Sequence, residues 1–234
     1  MHEPQSKPPV FKRKGNAQVF KEIRCLHDQY RHADSPKTET ASLLASIMKH
    51  RHEGRYAEAD FLYSRESWDY ITEQYRERCT DPSFVDYFWT VRIMHSPLWK
   101  LMALTESFIP VKVFHTISTG YAGFLGALMK QRTGKPLILS EHGIYTKERK
   151  IDLFQAEWIR DNRGTLAKDS SEVAYFRHLW IRFFEALGRD CYHHADRIIA
   201  LYETNRLRQI QDGAPAERTE NIPNGINFPH LAKV

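Results

Sequence analysis

The chain has 234 residues, 41% hydrophobic and 27% charged, with a formal net charge of +5. That composition suits a globular protein able to build a core, and no run approaches the roughly 20 apolar residues of a membrane-crossing helix. Cys25, Cys79 and Cys191 are scattered without a C-x-x-C pair, which argues against a disulfide framework and a zinc site. The opening MHEPQSKPPVFKRKG is basic but leads into no apolar segment, so it does not read as a secretory signal, and a cytoplasmic location is expected. Most Lys and Arg are interleaved with Asp and Glu, the pattern of solvated helix faces. No helix-turn-helix, RNA-binding or zinc signature accompanies the charge, so no nucleic-acid partner is expected.

Residues 1–10, with Pro4, Pro8 and Pro9, read as an extended lead-in. From Asn16 to Tyr30 the apolar residues Val19, Phe20, Ile23, Leu26 and Tyr30 recur at three- and four-residue steps, which predicts an amphipathic helix. DSPKTET breaks it, and a second helix is predicted from about Thr40 through Met48, with a third around Trp68, Ile71 and Tyr75. Asp81-Pro82 marks the start of a fourth and Ser96-Pro97 the start of a fifth, because proline suits the first helical position. Trp68, Trp89 and Trp99 are expected in the core rather than stacked on a sugar, since aromatic side chains bury large areas. His27, His32, His50, His52 and His95 have no mutual ligand spacing.

The stretch Val111–Asp152 carries the strongest signal. VKVFHTIS reads as a strand, STG as a turn, YAGFLGALMKQ as a helix stopped by RTGKP, and PLILS as a second strand. A βαβ unit implies a parallel sheet, whose ligands bind beyond the carboxyl ends of the strands. Ser118, Thr119 and Gly120 then land on the ligand side, as do Glu141, His142 and Gly143. Gly120, Gly123 and Gly126 form G-x-x-G-x-x-G, not the dinucleotide fingerprint. Gly120 suits a sharp turn or a close backbone approach, and Gly123 and Gly126 suit close helix packing. The loop from Glu141 to Lys150 crowds a carboxylate, an imidazole and the cations Lys147, Arg149 and Lys150 at that edge, more than a plain connector needs. Imidazole can bond a sugar hydroxyl or phosphate, and Lys and Arg can hold phosphate oxygens.

Beyond it, KERKIDLFQAEWIRDN reads as a charged helix, RGTLAKD as a loop, and Asp169 with Glu172 as an N-cap signature. A long core helix follows through Phe176, Trp180, Phe184 and Leu187, then RIIAL as a strand, YETNRLRQIQ as a helix and ENIP as a strand. The adjacent His193 and His194 diverge by about 100° on a helix and cannot jointly hold a metal. The expected fold is α/β: a mostly helical region followed by a Rossmann-like, doubly wound parallel sheet with helices on both faces.

Three segments then carry a resemblance: HTISTGYAGFLGALMKQRTGKPLILSEHGIYTKERKIDLFQAEW, HHADRIIALYETNRLRQIQDGA and NIPNGIN. Together they resemble the PelF-type glycosyltransferases of glycosyltransferase family 4, which serve Pel exopolysaccharide synthesis. SEHGIYTKER is the specific part, whereas ADRIIAL and IPNGI are shared more widely. The resemblance runs from about Lys12 to Asn227. It implies a GT-B fold and a retaining, metal-independent transfer from a UDP-sugar donor, with no cofactor. Residues 1–110 would be the helical part of the acceptor-side domain, 111–227 its Rossmann-like part, and 228–234 the start of a linker to a nucleotide-sugar-binding domain that the chain lacks.

By the same resemblance His142 is the catalytic residue lining the donor sugar. Gly120, Tyr121, Glu141, Gly143, Thr146, Lys147, Arg149 and Asn224 are substrate-binding, with Pro223, Asn224 and Gly225 in the hinge strand. The partners implied are a nucleotide sugar, a polysaccharide acceptor and a membrane-associated exopolysaccharide synthesis complex, which would bring the cytoplasmic protein to the inner membrane as a peripheral component. No glycine-rich acceptor loop of the family's type opens the chain, and because the nucleotide-binding domain that would hold the diphosphate is expected after Asn227, the piece alone is expected to be inactive. A non-catalytic interaction module of such a complex is the alternative.

Overall fold

The structure is a computed structural model and describes residues 13–31, 37–79, 83–155 and 170–225. The chain divides into two compact units, Met1–Trp99 and Lys100–Val234. Among the described residues no helix is long and apolar enough to cross a membrane.

The first unit is helical: α1 (Ala17–Arg31), α2 (Lys37–His52), α3 (Glu58–Tyr63), α4 (Arg65–Arg78) and the greater part of α5 (Phe84–Leu104), within which the division falls. Caps set the starts. The Asn16 side chain accepts from the backbone N–H groups of Gln18 and Val19. Ser64 accepts from Ser67 at 3.1 Å and separates α3, which the periodicity does not announce, from α4. Such caps satisfy amides that have no partner within the helix. The stripe of α1 is buried as its spacing predicts, and its Phe20 meets Tyr56, Phe61 and Tyr70 at centroid separations of 5.9, 6.4 and 6.2 Å.

Two expectations change in α5. Asp81 and Pro82 lie outside the described residues, and the cap is Ser83, whose hydroxyl accepts from the Asp86 N–H at 3.2 Å and donates to the Asp86 carboxylate at 2.6 Å. Pro97 starts no helix: it stands inside α5, where buried Val91 and Met94 before it and Trp99 and Met102 after it hold the chain helical. Trp99 is core as expected, but Trp89 is 55% exposed, with the Arg92 guanidinium 5.5 Å over its ring.

The second unit holds β1 (Phe114–Thr116), α6 (Gly120–Thr133), β2 (Leu137–Glu141), α7 (Tyr145–Gln155), α8 (Ser170–His194), β3 (Arg197–Ala200), α9 (Glu203–Gln211) and β4 (Thr219–Asn221). The loop and Asp169, the cap residue expected before α8, lie outside the described residues. The first strand is shorter than VKVFHTIS suggests, and β4 begins ahead of ENIP. RTGKP does stop α6: Gly134 takes φ +69° and its N–H returns to the Lys130 carbonyl at 2.7 Å, a left-handed cap that glycine adopts without strain.

All four strands are parallel, in the order β1-β2-β3-β4, with Phe114 opposite Leu137, Leu139 opposite Ile198 and Ile198 opposite Thr219. This is an α/β unit preceded by helices, but among the described residues its sheet is not doubly wound. Leu137, Leu139 and Ile198 face a core shared with Cys191, Tyr192 and Ala195 of the α8 end and with Ala214 after α9; Gly126 of α6 packs on Leu137 from the same side. On the opposite face His115, Arg197 and Glu220 are exposed and Ile138, Ser140 and Ile199 half-buried. The cause is the order itself. Parallel crossovers are nearly always right-handed, so a strand order that never reverses sends every crossover helix to one face.

Candidate functional site

Because the strands are parallel, the segments 117–119, 142–144, 201–202 and 222–225 leave the sheet at one edge. Gly120 opens α6 there at φ +67°, and a Cβ at this position would overlap the Tyr145 ring. Its need for glycine is thus both conformational and steric. Gly143 has a different reason: a side chain would overlap the Glu148 carboxylate of α7.

At the end of β2 two consecutive residues point opposite ways. The inward phase of LILSE is Leu137, Leu139 and Glu141, and it carries the Glu141 side chain into the core, where it is 1% exposed. Thr119 donates its hydroxyl to Oε1 at 3.1 Å, Tyr192 its phenol to Oε2 at 2.8 Å, and Gln209 its Nε2 to Oε2 at 3.0 Å. The Thr119 backbone adds another hydrogen bond. These donors are all neutral. Burial therefore pushes the carboxyl above its ordinary range, and the hydrogen bonds pull it part of the way back. His142, the next residue, is exposed, and its carbonyl accepts from the Asn205 side chain at 3.3 Å. Asn205 and Gln209 are four apart on α9 and share a helix face, so one face of α9 holds both residues of the β2 end.

The remaining expected site residues divide in the same manner. Thr146 is buried, its methyl against Gly188 and its hydroxyl donating to Asp212 at 3.5 Å. Tyr121 packs edge-on to Phe184 at 5.5 Å, and burial raises its phenol to about 12. The Arg149 guanidinium lies 5.2 Å over the Phe184 ring and 3.4 Å from Asp152. Lys147 and Asn224 are exposed. Glu141 and Thr146 are thus buried and Tyr121 is half-buried. His142, Lys147 and Asn224 face outward.

Gly123 abuts Cys191, whose thiol is pushed up by burial and by the nearby Glu141 and Asp190. His194 is buried with Nδ1 on the Asp190 carbonyl at 2.8 Å. Among the described residues no group of three or more His, Cys, Asp or Glu is placed to hold a metal ion.

The chain matches, over residues 1–217, the model of a family described as a domain of unknown function, DUF3492. It belongs to the DUF3492 family. No curated protein and no solved structure matches it. The DUF3492 match takes in both the helical unit and the elements of the second unit through α9. Tyr192, Asn205 and Gln209, around the end of β2, are residues that sequence reasoning left unassigned, whereas Thr119 it placed at the carboxyl edge. The polar pair at i and i+4 in ETNRLRQIQ was visible, but nothing in the sequence says that Gln209 is buried.

Proposed function

We infer that this DUF3492 chain is part of a retaining glycosyltransferase that moves a sugar from a UDP-sugar to a growing exopolysaccharide, with His142 lining the donor sugar. The observation that carries the reading is His142 itself: an exposed imidazole at the carboxyl edge of a parallel sheet, on a backbone whose carbonyl is tied to Asn205. Carboxyl edges of parallel sheets are where such folds receive ligands. An imidazole fixed there can hydrogen-bond a sugar hydroxyl without placing a permanent charge beside a developing oxocarbenium centre. The resemblance at SEHGIYTKER supports the same reading, as does the association of DUF3492 with glycosyltransferase-like proteins. The exposed Lys147 and Asn224 are the further candidates for polar contact with the substrates.

The test is turnover of UDP-glucose and UDP-N-acetylgalactosamine by the full-length protein, followed as UDP release. In this reading His142→Ala lowers turnover by roughly 10²-fold, the loss that a misaligned reacting group brings, while calorimetric UDP affinity stays as in the wild type. Wild-type turnover in the folded variant would overturn the assignment.

A further inference from the structure

We propose that Glu141 and Gln209 form a positioning latch that fixes the backbone of His142 and the start of α6, with neither side chain touching the ligand. The inference rests on the reading of His142 as the ligand-facing group, and it deepens that reading.

The geometry has three parts. Glu141 is the last residue of β2, and its carboxylate gathers donors from three separate elements: Thr119 at the start of α6, Tyr192 near the end of α8 and Gln209 on α9. A purely apolar residue would fill this place in a core at less cost, because a buried carboxylate held only by neutral donors carries an uncompensated desolvation penalty. What the carboxylate supplies is direction, since each oxygen accepts along defined lines from groups that must come to it. The second part is Gln209, 0% exposed, whose Nε2 faces Glu141 while its Oε1 is buried without a partner among the described residues. The amide is thus held in one orientation by the carboxylate, at the cost of its own acceptor. The third part is Asn205, one turn before Gln209, which holds the His142 carbonyl. Anchoring α9 through Gln209 therefore sets where Asn205 reaches, and Asn205 sets His142.

The prediction is local. In Glu141→Gln one acceptor oxygen becomes an amide N–H that confronts either the Thr119 hydroxyl or the Tyr192 and Gln209 donors, and in Gln209→Leu the carboxylate loses its link to α9. Both should raise amide hydrogen exchange at 142–144 and 120–122 by about 10-fold or more, while Leu137, Leu139 and Ile198 keep wild-type protection. The reciprocal double variant Glu141→Gln/Gln209→Glu restores one carboxylate and one amide across the same gap and should return exchange at 142–144 most of the way to wild type. A residue with a merely structural role would loosen the whole sheet when changed and would gain nothing from the exchange of partners. The measurement is made on the 234-residue chain by hydrogen–deuterium exchange. Unchanged exchange at 142–144 in both single variants overturns the proposal, as does uniform loosening without rescue in the double. If Glu141→Gln fails to fold, Gln209→Leu and the double variant decide the question by the same criteria. Because no sugar enters the measurement, a failure here stands apart from a failure of the transferase reading.

Discussion

At the scale of single residues, the first unit holds a hydrogen-bonded chain that no sequence spacing announces. Tyr70 pairs with His27 Nδ1, the two Nε2 atoms of His27 and His95 lie 3.0 Å apart, and His95 Nδ1 meets the Val91 carbonyl at 2.6 Å. One assignment of protons satisfies every link: His95 donates from Nδ1 to the carbonyl, its Nε2 accepts from His27, and His27 Nδ1 accepts from the Tyr70 phenol. Both rings must then be neutral. Burial lowers both, His95 to about 4 and His27 well below its usual value, with His95 and Arg31 lowering His27 further. An unfolded histidine titrates near 6.5, so the unfolded chain takes up protons first as the pH falls. The stability that these neutral rings confer is complete above about 6.5 and is lost as the pH drops toward 4, at up to roughly 1.4 kcal/mol per pH unit for each ring. Thermal melting between pH 7.5 and 4.5 should show the fall, and His95→Phe should make it markedly shallower. An equal slope in the variant would mean that the pair does not titrate in this way.

Among the elements, α5 is the one whose interior the sequence misreads. Asp81-Pro82 and Ser96-Pro97 carry the same proline signal, yet Ser83 supplies the cap and Pro97 sits within a helix of 21 residues. Proline lacks the N–H that would bond the Ile93 carbonyl and crowds that carbonyl sterically. The helix continues because its buried face on both sides of Pro97 is worth more than one lost bond: each large side chain taken from water contributes about 1.5–3 kcal/mol. Pro97→Ala should therefore stabilise the protein, by up to about 3 kcal/mol, seen as a higher denaturation midpoint at an unchanged denaturant slope. A lower midpoint would show that the proline is required by the packing around it. The other helices were more legible. The stripe of α1 and the long apolar face of α8 appear where their periods put them, and Gly134 ends α6 as RTGKP suggests.

On the scale of the whole molecule, the second unit has two unlike sheet edges. The β4 edge ends in Glu220 and Asn221, with Arg197 paired to Glu220 at 2.5 Å, the sort of charge that blunts an edge strand. Among the described residues β1 itself, Phe114–Thr116, carries no Lys, Arg, Asp or Glu. Ile109, Val111, Val113 and Ile117 around it are exposed, Ile117 at 69%. Exposed apolar residues beside an unpaired strand promote association. A hydrophobic dye should bind the native protein at neutral pH, and Val113→Lys with Ile117→Lys should remove most of that signal without lowering the melting temperature. Dye binding that persists in the double variant would place the apolar surface elsewhere.

The sequence by itself determined the chain's class and the order of most elements, because those follow from local periods, caps and turn residues: the helical first unit, the β-α-β alternation after it, and the carboxyl edge to which His142 belongs. It also showed that Gly120 needs no side chain, though not that the Tyr145 ring is the reason. Only the tertiary structure decided which faces those elements present. The sheet keeps its helices on one face because the strand order never reverses, and strand order is a long-range pairing that no local pattern encodes. In the same way Glu141 and His142 are indistinguishable in a polar loop sequence. The inward phase of β2 buries the first among Thr119, Tyr192 and Gln209 and leaves the second exposed, and that phase is set by which side of the strand meets α8 and α9.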